Sequence, residues 1–73
     1  MVSEYFILVS YWYDRLAVGG YICGEDYLSW DKIPQDDPKS FRQIRLAIDD
    51  FSKSKNLNLY TDPASYFWSM QKL

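Results

Sequence analysis

The apolar positions of this chain cluster most densely at its start. The stretch "EYFILVSYWYD" at residues 4–14 is rich in aromatic and β-branched residues, among them Tyr5, Phe6, Ile7, Val9, Tyr11, Trp12 and Tyr13. Side chains of these types fit a pleated surface. Alternation places Tyr5, Ile7, Val9, Tyr11 and Tyr13 on one face and Phe6, Leu8, Ser10 and Trp12 on the other. The pattern predicts a long first strand over 4–13 that is apolar on both faces. Such a strand is covered on both sides. In 73 residues a second cover is hard to find, which points to a homodimer or a tightly held partner.

Beyond it, Gly19-Gly20 separates Leu16-Ala17-Val18 from Tyr21-Ile22-Cys23. The pair fits a tight hairpin turn or a bulge inside one longer strand. The following "EDYLSWDKIPQDD" is acidic and turn-rich, an irregular segment anchored by Tyr27, Leu28 and Trp30 and ending in a loop at Pro34.

Two segments carry helical spacing. Phe41, Ile44, Ala47, Ile48 and Phe51 recur at intervals of three and four, which predicts an amphipathic helix near 38–54. Asp37 suits its N-cap and Pro38 its first position, where a missing N–H costs nothing. Lys53 and Lys55 suit its last turn, and Asn56 can close it. Asp62-Pro63-Ala64-Ser65-Tyr66 echoes Asp37-Pro38-Lys39-Ser40-Phe41. The flanking segments do not match, so the echo reads as helix punctuation written twice rather than as a repeat. It predicts a second helix near 63–72, with Tyr66, Phe67, Met70 and Leu73 on one face. "LNLYT" between the two reads as a short strand. The expected fold is α+β: a single domain over 1–73, with a small antiparallel sheet of two or three strands packed against two helices.

Composition sharpens the question of a partner. Of the residues, 48% are hydrophobic and 19% aromatic, a heavy load for a chain that buries only about 60% of its unfolded surface. Either rings fill the core or some of them serve an interface, where Tyr and Trp are enriched. The net charge of −2 is uneven: residues 1–37 hold seven acids against Arg15 and Lys32, whereas residues 38–73 hold six bases against three acids. A nucleic-acid binder is not the default for such a balance. With one cysteine, Cys23, no intrachain disulfide forms. The opening residues lack a basic leader region, and the apolar run is far short of the ~20 residues of a membrane span. A cytoplasmic protein without membrane association is expected.

The catalytic vocabulary is thin. There is no histidine, the commonest general base and metal ligand. One Cys and no His exclude Cys/His zinc sites, and no phosphate-binding glycine loop occurs. Acidic neighbours Glu25 and Asp26 disfavour a thiolate at Cys23, which reads as a small buried hydrophobe. The spacing of Glu25, Asp26, Asp31, Asp36 and Asp37 fits no EF-hand. No enzyme, cofactor or metal is expected.

A partner surface is easier to nominate. On helical wheels Leu46 and Trp68 fall opposite their apolar faces, and Trp with Arg is typical of binding hot spots; burial of both within the same chain is the competing reading. Arg42 lies beside Leu46, and Trp12 and Trp30 complete the candidate contacts. The leading expectation is a non-catalytic protein-binding module, an inhibitor, regulator or assembly factor on a larger protein. Its acidic residues Glu25, Asp26, Asp31, Asp36 and Asp37 would occupy a basic groove that normally takes nucleic acid. The alternative is a nucleic-acid binder using Lys39, Arg42, Arg45 and Lys53. Against it, Arg45–Asp49 and Asp49–Lys53 are pairs of opposite sign at i, i+4.

Overall fold

The computed structural model describes residues 4–73. In chain order it contains α1 (Glu4–Arg15), β1 (Tyr21–Gly24), a short 3-10 turn (Trp30–Lys32), α2 (Phe41–Ser54), β2 (Leu59–Asp62) and β3 (Phe67–Gln71). The three strands form one antiparallel sheet in the order β1-β3-β2. The class is α+β, as the residue patterns predict, but helix and strand exchange places at the two ends of the chain.

The first exchange is at residues 4–13, which form a helix and not a strand. A ten-residue strand would span roughly 33 Å and would need neighbours of matching length; the three strands present have four or five residues. An unbroken apolar run is ambiguous between strand and helix, and length then favours the helix. Phe6, Val9 and Tyr13, at helical spacing, turn inward: Phe6 and Tyr13 both meet the Phe51 ring edge-to-face, at 5.7 and 5.1 Å between centroids. Glu4 in the first turn and Arg15 in the last complement the helix dipole. Gly19-Gly20 is neither a hairpin nor a bulge. It turns the chain from α1 into β1, with Gly19 at a φ of 88° that glycine adopts without penalty.

The second exchange is at residues 63–72. Asp62 ends β2, and its carboxylate accepts hydrogen bonds from the Ala64 N–H and the Ser65 hydroxyl, both at 3.1 Å. That side-chain turn, with Tyr66 at a φ of 59°, reverses the chain into β3. The Asp-Pro pair here opens a hairpin. Along β3 the side chains alternate, so Trp68 and Met70 share the inner face and are buried at 6% and 1% exposure.

α2 forms where expected, beginning at Phe41 rather than Pro38. Asp37 still caps it, from a turn four residues before Phe41: its carboxylate accepts the Phe41 N–H at 2.7 Å and the Arg42 N–H at 3.1 Å. At the other end Asn56 adopts a φ of 55°, and the Leu57 N–H donates to the Ser52 carbonyl, the Schellman closure. α1 and α2 together cover one face of the sheet. Their shared core is Tyr13, Ile48, Phe51, Trp68 and Met70, with Phe6, Val9, Ile22, Ile44 and Leu59 packed around it. The other sheet face is open, with Tyr21 and Tyr60 both 63% exposed. The molecule is a slab of two layers, 37 × 30 × 16 Å.

Candidate functional site

Helix α1 buries only one side. Left outside the core are Ile7, Leu8, Tyr11 and Trp12, exposed at 59, 49, 47 and 60%. The spacing 7–11 and 8–12 stacks them in adjacent turns, and the rings of Tyr11 and Trp12 meet edge-to-face at 5.3 Å. Arg15 folds back over Tyr11, its guanidinium 3.5 Å from the ring centroid and hydrogen-bonded to the Tyr11 carbonyl. A surface helix normally puts polar residues on its outer face. This one keeps an apolar stripe there.

The stripe runs into a groove between α1 and β1, of about 260 Å³, lined by Leu8, Val9, Trp12, Ile22, Cys23 and Trp68. Its floor is built by close approach: the Trp68 indole lies against Gly24, and its Nε1–H donates to the Glu25 carbonyl at 3.2 Å. Cys23 is exposed, not the buried hydrophobe expected, because β1 is an edge strand and Cys23 sits on the outward side of its alternation. Trp68 is likewise corrected: as a strand residue it is core, and it contributes to the groove from below.

The acidic segment after β1 divides. Glu25, Asp26, Asp31 and Asp36 are exposed. A hydrogen bond from Ser29 holds the Asp31 carboxyl below the usual carboxylate range. Asp37 is removed from the set, because its carboxylate is bound to the start of α2 and its side chain is only 11% exposed. No group of three or more acidic or Cys side chains close enough to hold a metal ion occurs among the described residues.

Arg45 ties this segment to α2. Its guanidinium lies 4.5 Å from the Tyr27 ring centroid and 4.9 Å from that of Trp30, and Nη1 donates to the Leu28 carbonyl at 2.7 Å. Its Nε is 3.7 Å from Asp49, whose other oxygen accepts the Tyr27 hydroxyl. Burial, with that hydrogen bond to an anion, pushes the Tyr27 phenol up to about 12. A cavity of about 250 Å³ beside this cluster is lined by Tyr27, Ser29, Arg45, Thr61 and Pro63. Leu28 and Ile33 sink into the interior at 7 and 9% exposure. Arg45 therefore serves as a bolt, and Arg42 pairs at 3.9 Å with Asp37. Of the bases expected to meet nucleic acid, Lys39, ahead of α2, and Lys53, on it, are exposed and make no ion pair among the described residues.

Of the residues nominated from sequence, the groove brings together Trp12 and Trp68, and the backbone carbonyl of Glu25 accepts the Trp68 indole N–H. Trp30, Arg42 and Leu46 do not line it, and Leu46 is 45% exposed on α2. Ile7, Leu8 and Tyr11 were missed. The signal for them was present in an apolar run longer than one buried helix face requires. No family model, curated protein or solved structure matches the chain. No helix among the described residues is long and apolar enough to cross a membrane.

Proposed function

We propose that the chain is a non-catalytic protein-binding module, of the inhibitor, regulator or assembly-factor kind, that docks on a larger protein through the outer face of α1 and the groove beside β1. The observation that carries this is the stripe Ile7, Leu8, Tyr11 and Trp12, left about half exposed on a helix whose other side is already packed. Covering the exposed halves of four such side chains is worth on the order of 3–6 kcal/mol, and aromatic anchors of this kind dominate interface energetics. The exposed acids Glu25, Asp26, Asp31 and Asp36 favour a partner surface with basic residues, in which case binding weakens steeply with added salt. The nucleic-acid alternative draws less support, with Arg45 enclosed by Tyr27 and Trp30.

The test is a nuclease-treated pull-down from native lysate with wild type and Trp12→Ala, read by mass spectrometry. Trp12 is 60% exposed, so its loss leaves the fold intact, which circular dichroism checks. A protein retained by wild type and lost by Trp12→Ala is the expected result. A catch that vanishes with nuclease, or that Trp12→Ala keeps in full, overturns the reading.

A further inference from the structure

We infer that the groove receives an extended segment of the partner, which adds to the open edge of β1 as a fourth strand and carries apolar side chains flanked by lysine or arginine. This rests on the docking reading above and gives the partner's chemistry.

The strand geometry comes from the sheet. β1 is an edge, paired on one side with β3. The Lys72 N–H donates to the Gly20 carbonyl at 2.8 Å, in the register that sets Ile22 opposite Met70 and Gly24 opposite Trp68. Backbone groups of an antiparallel ladder point alternately to the two sides. Those of Gly20, Ile22 and Gly24 therefore face β3, and those of Tyr21 and Cys23 face the open side. Soluble proteins guard such an edge by keeping it short or with lysine, proline or an inward charge; Tyr-Ile-Cys-Gly is short, with four residues, but carries no lysine, proline or charge. A strand added about 4.8 Å from β1 would lie along the groove, with alternate side chains against Leu8 and Trp12. Main-chain bonds supply affinity and side-chain contacts supply selection in recognition of this kind.

The charge comes from the segment that leaves β1. From Leu16 to Asp31 there is no lysine or arginine, whereas Glu25, Asp26 and Asp31 are all present and exposed. The Trp68 indole holds the backbone carbonyl of Glu25, next in sequence to Gly24 of β1, and leaves its side chain exposed. The Lys72 ammonium is held at the other end of β1, on the Tyr13 carbonyl at 3.1 Å. A basic flank on the incoming strand complements this rim. A second copy of this chain would bring a β1 with no base to offer.

The test uses the full chain, isotopically labelled, with short synthetic peptides of alternating apolar and threonine residues. One set ends in lysines, one in glutamates, and one is N-methylated on alternate backbone nitrogens. Expected are slowed amide exchange at Tyr21 and Cys23 and shifted Trp12 resonances with the lysine-ended set, binding about tenfold or more weaker with the glutamate-ended set, and none with the N-methylated set. Replacing both Glu25→Lys and Asp26→Lys should invert the preference. Shifts at Trp12 without protection at Tyr21 and Cys23 overturn strand addition and leave the docking reading standing. Equal binding of the two charge sets overturns the basic flank. No binding by any set overturns the inference, and the pull-down with Trp12→Ala then decides separately whether docking survives. Protection at Tyr21 and Cys23 in the free protein, with a dimer mass by light scattering, assigns the edge to a second copy and overturns the proposal.

Discussion

The indole of Trp68 lies so close to Gly24 that a methyl group there would stand 2.9 Å from Nε1 and 3.0 Å from two ring carbons. Both residues are on the inner face of the sheet, directly across from one another. Gly24→Ala should therefore cost about 1–3 kcal/mol through overpacking, read as a lower urea midpoint with an unchanged slope. In a Trp68→Phe background, where the ring is smaller, the cost of Gly24→Ala should shrink. An equal cost in both backgrounds would assign the effect to the backbone alone.

Arg45→Ala should destabilise the fold by about 2–3 kcal/mol, because it removes two ring contacts and a charge-assisted hydrogen bond to the Leu28 carbonyl. Arg45→Lys should recover little of this. An ammonium is a point charge and does not stack on Tyr27 while reaching Leu28. Full recovery by lysine in thermal unfolding would show that charge alone matters at this position.

Tyr27 makes stability depend on alkaline pH. Its phenol ionises near 10 in the unfolded chain and at about 12 in the folded one. Between those values the unfolded state loses a proton that the folded state keeps, so unfolding is favoured as pH rises. The contribution is fully present below pH 10 and is lost on passing through 12. Tyr27→Phe should accordingly flatten the fall in stability between pH 10 and 12 relative to wild type. Superimposable slopes in chemical denaturation over that window would refute the assignment.

Asp37→Ala should cost about 1 kcal/mol, the usual value of an N-cap, because two first-turn N–H groups lose their acceptor. Asp36→Ala, at the exposed neighbouring position, should stay within about 0.5 kcal/mol. Equal effects from the two in thermal melts would mean that net charge, not the cap, is responsible.

Much of the middle of the chain was legible. Phe41 to Phe51 has the helical period, Asp37 supplies the cap even from three residues further back, and Asn56 closes the helix as its type suggests. Both ends were not, for different reasons. Tyr5 to Tyr13 satisfies strand preference residue by residue, but β preference reports fit to a half-buried sheet, and no sheet of that length exists for it to join. The decisive information was the short length of its would-be partners. At Asp62-Pro63 the same two residues serve equally at a helix start and in a hairpin turn, and what separates them is the Phe-Trp-Ser-Met-Gln alternation that follows. Reading that stretch at a period of two places Trp68 with Met70 in the core and removes it from the surface. The exposed α1 stripe followed the same error, since Ile7, Leu8, Tyr11 and Trp12 come together only on a helix.

The sheet order β1-β3-β2 also governs how the molecule can be assembled in time. Its middle strand is the last in sequence, so β1 and β2 touch nothing in common until residues 67–71 have appeared. A nascent chain exposed only as far as Tyr66 holds two strands with an empty lane between them. It also lacks the two side chains, Trp68 and Met70, on which both helices close. Completion of the core then waits for β3, and until it forms Ile48 and Phe51 lack their Trp68 and Met70 contacts.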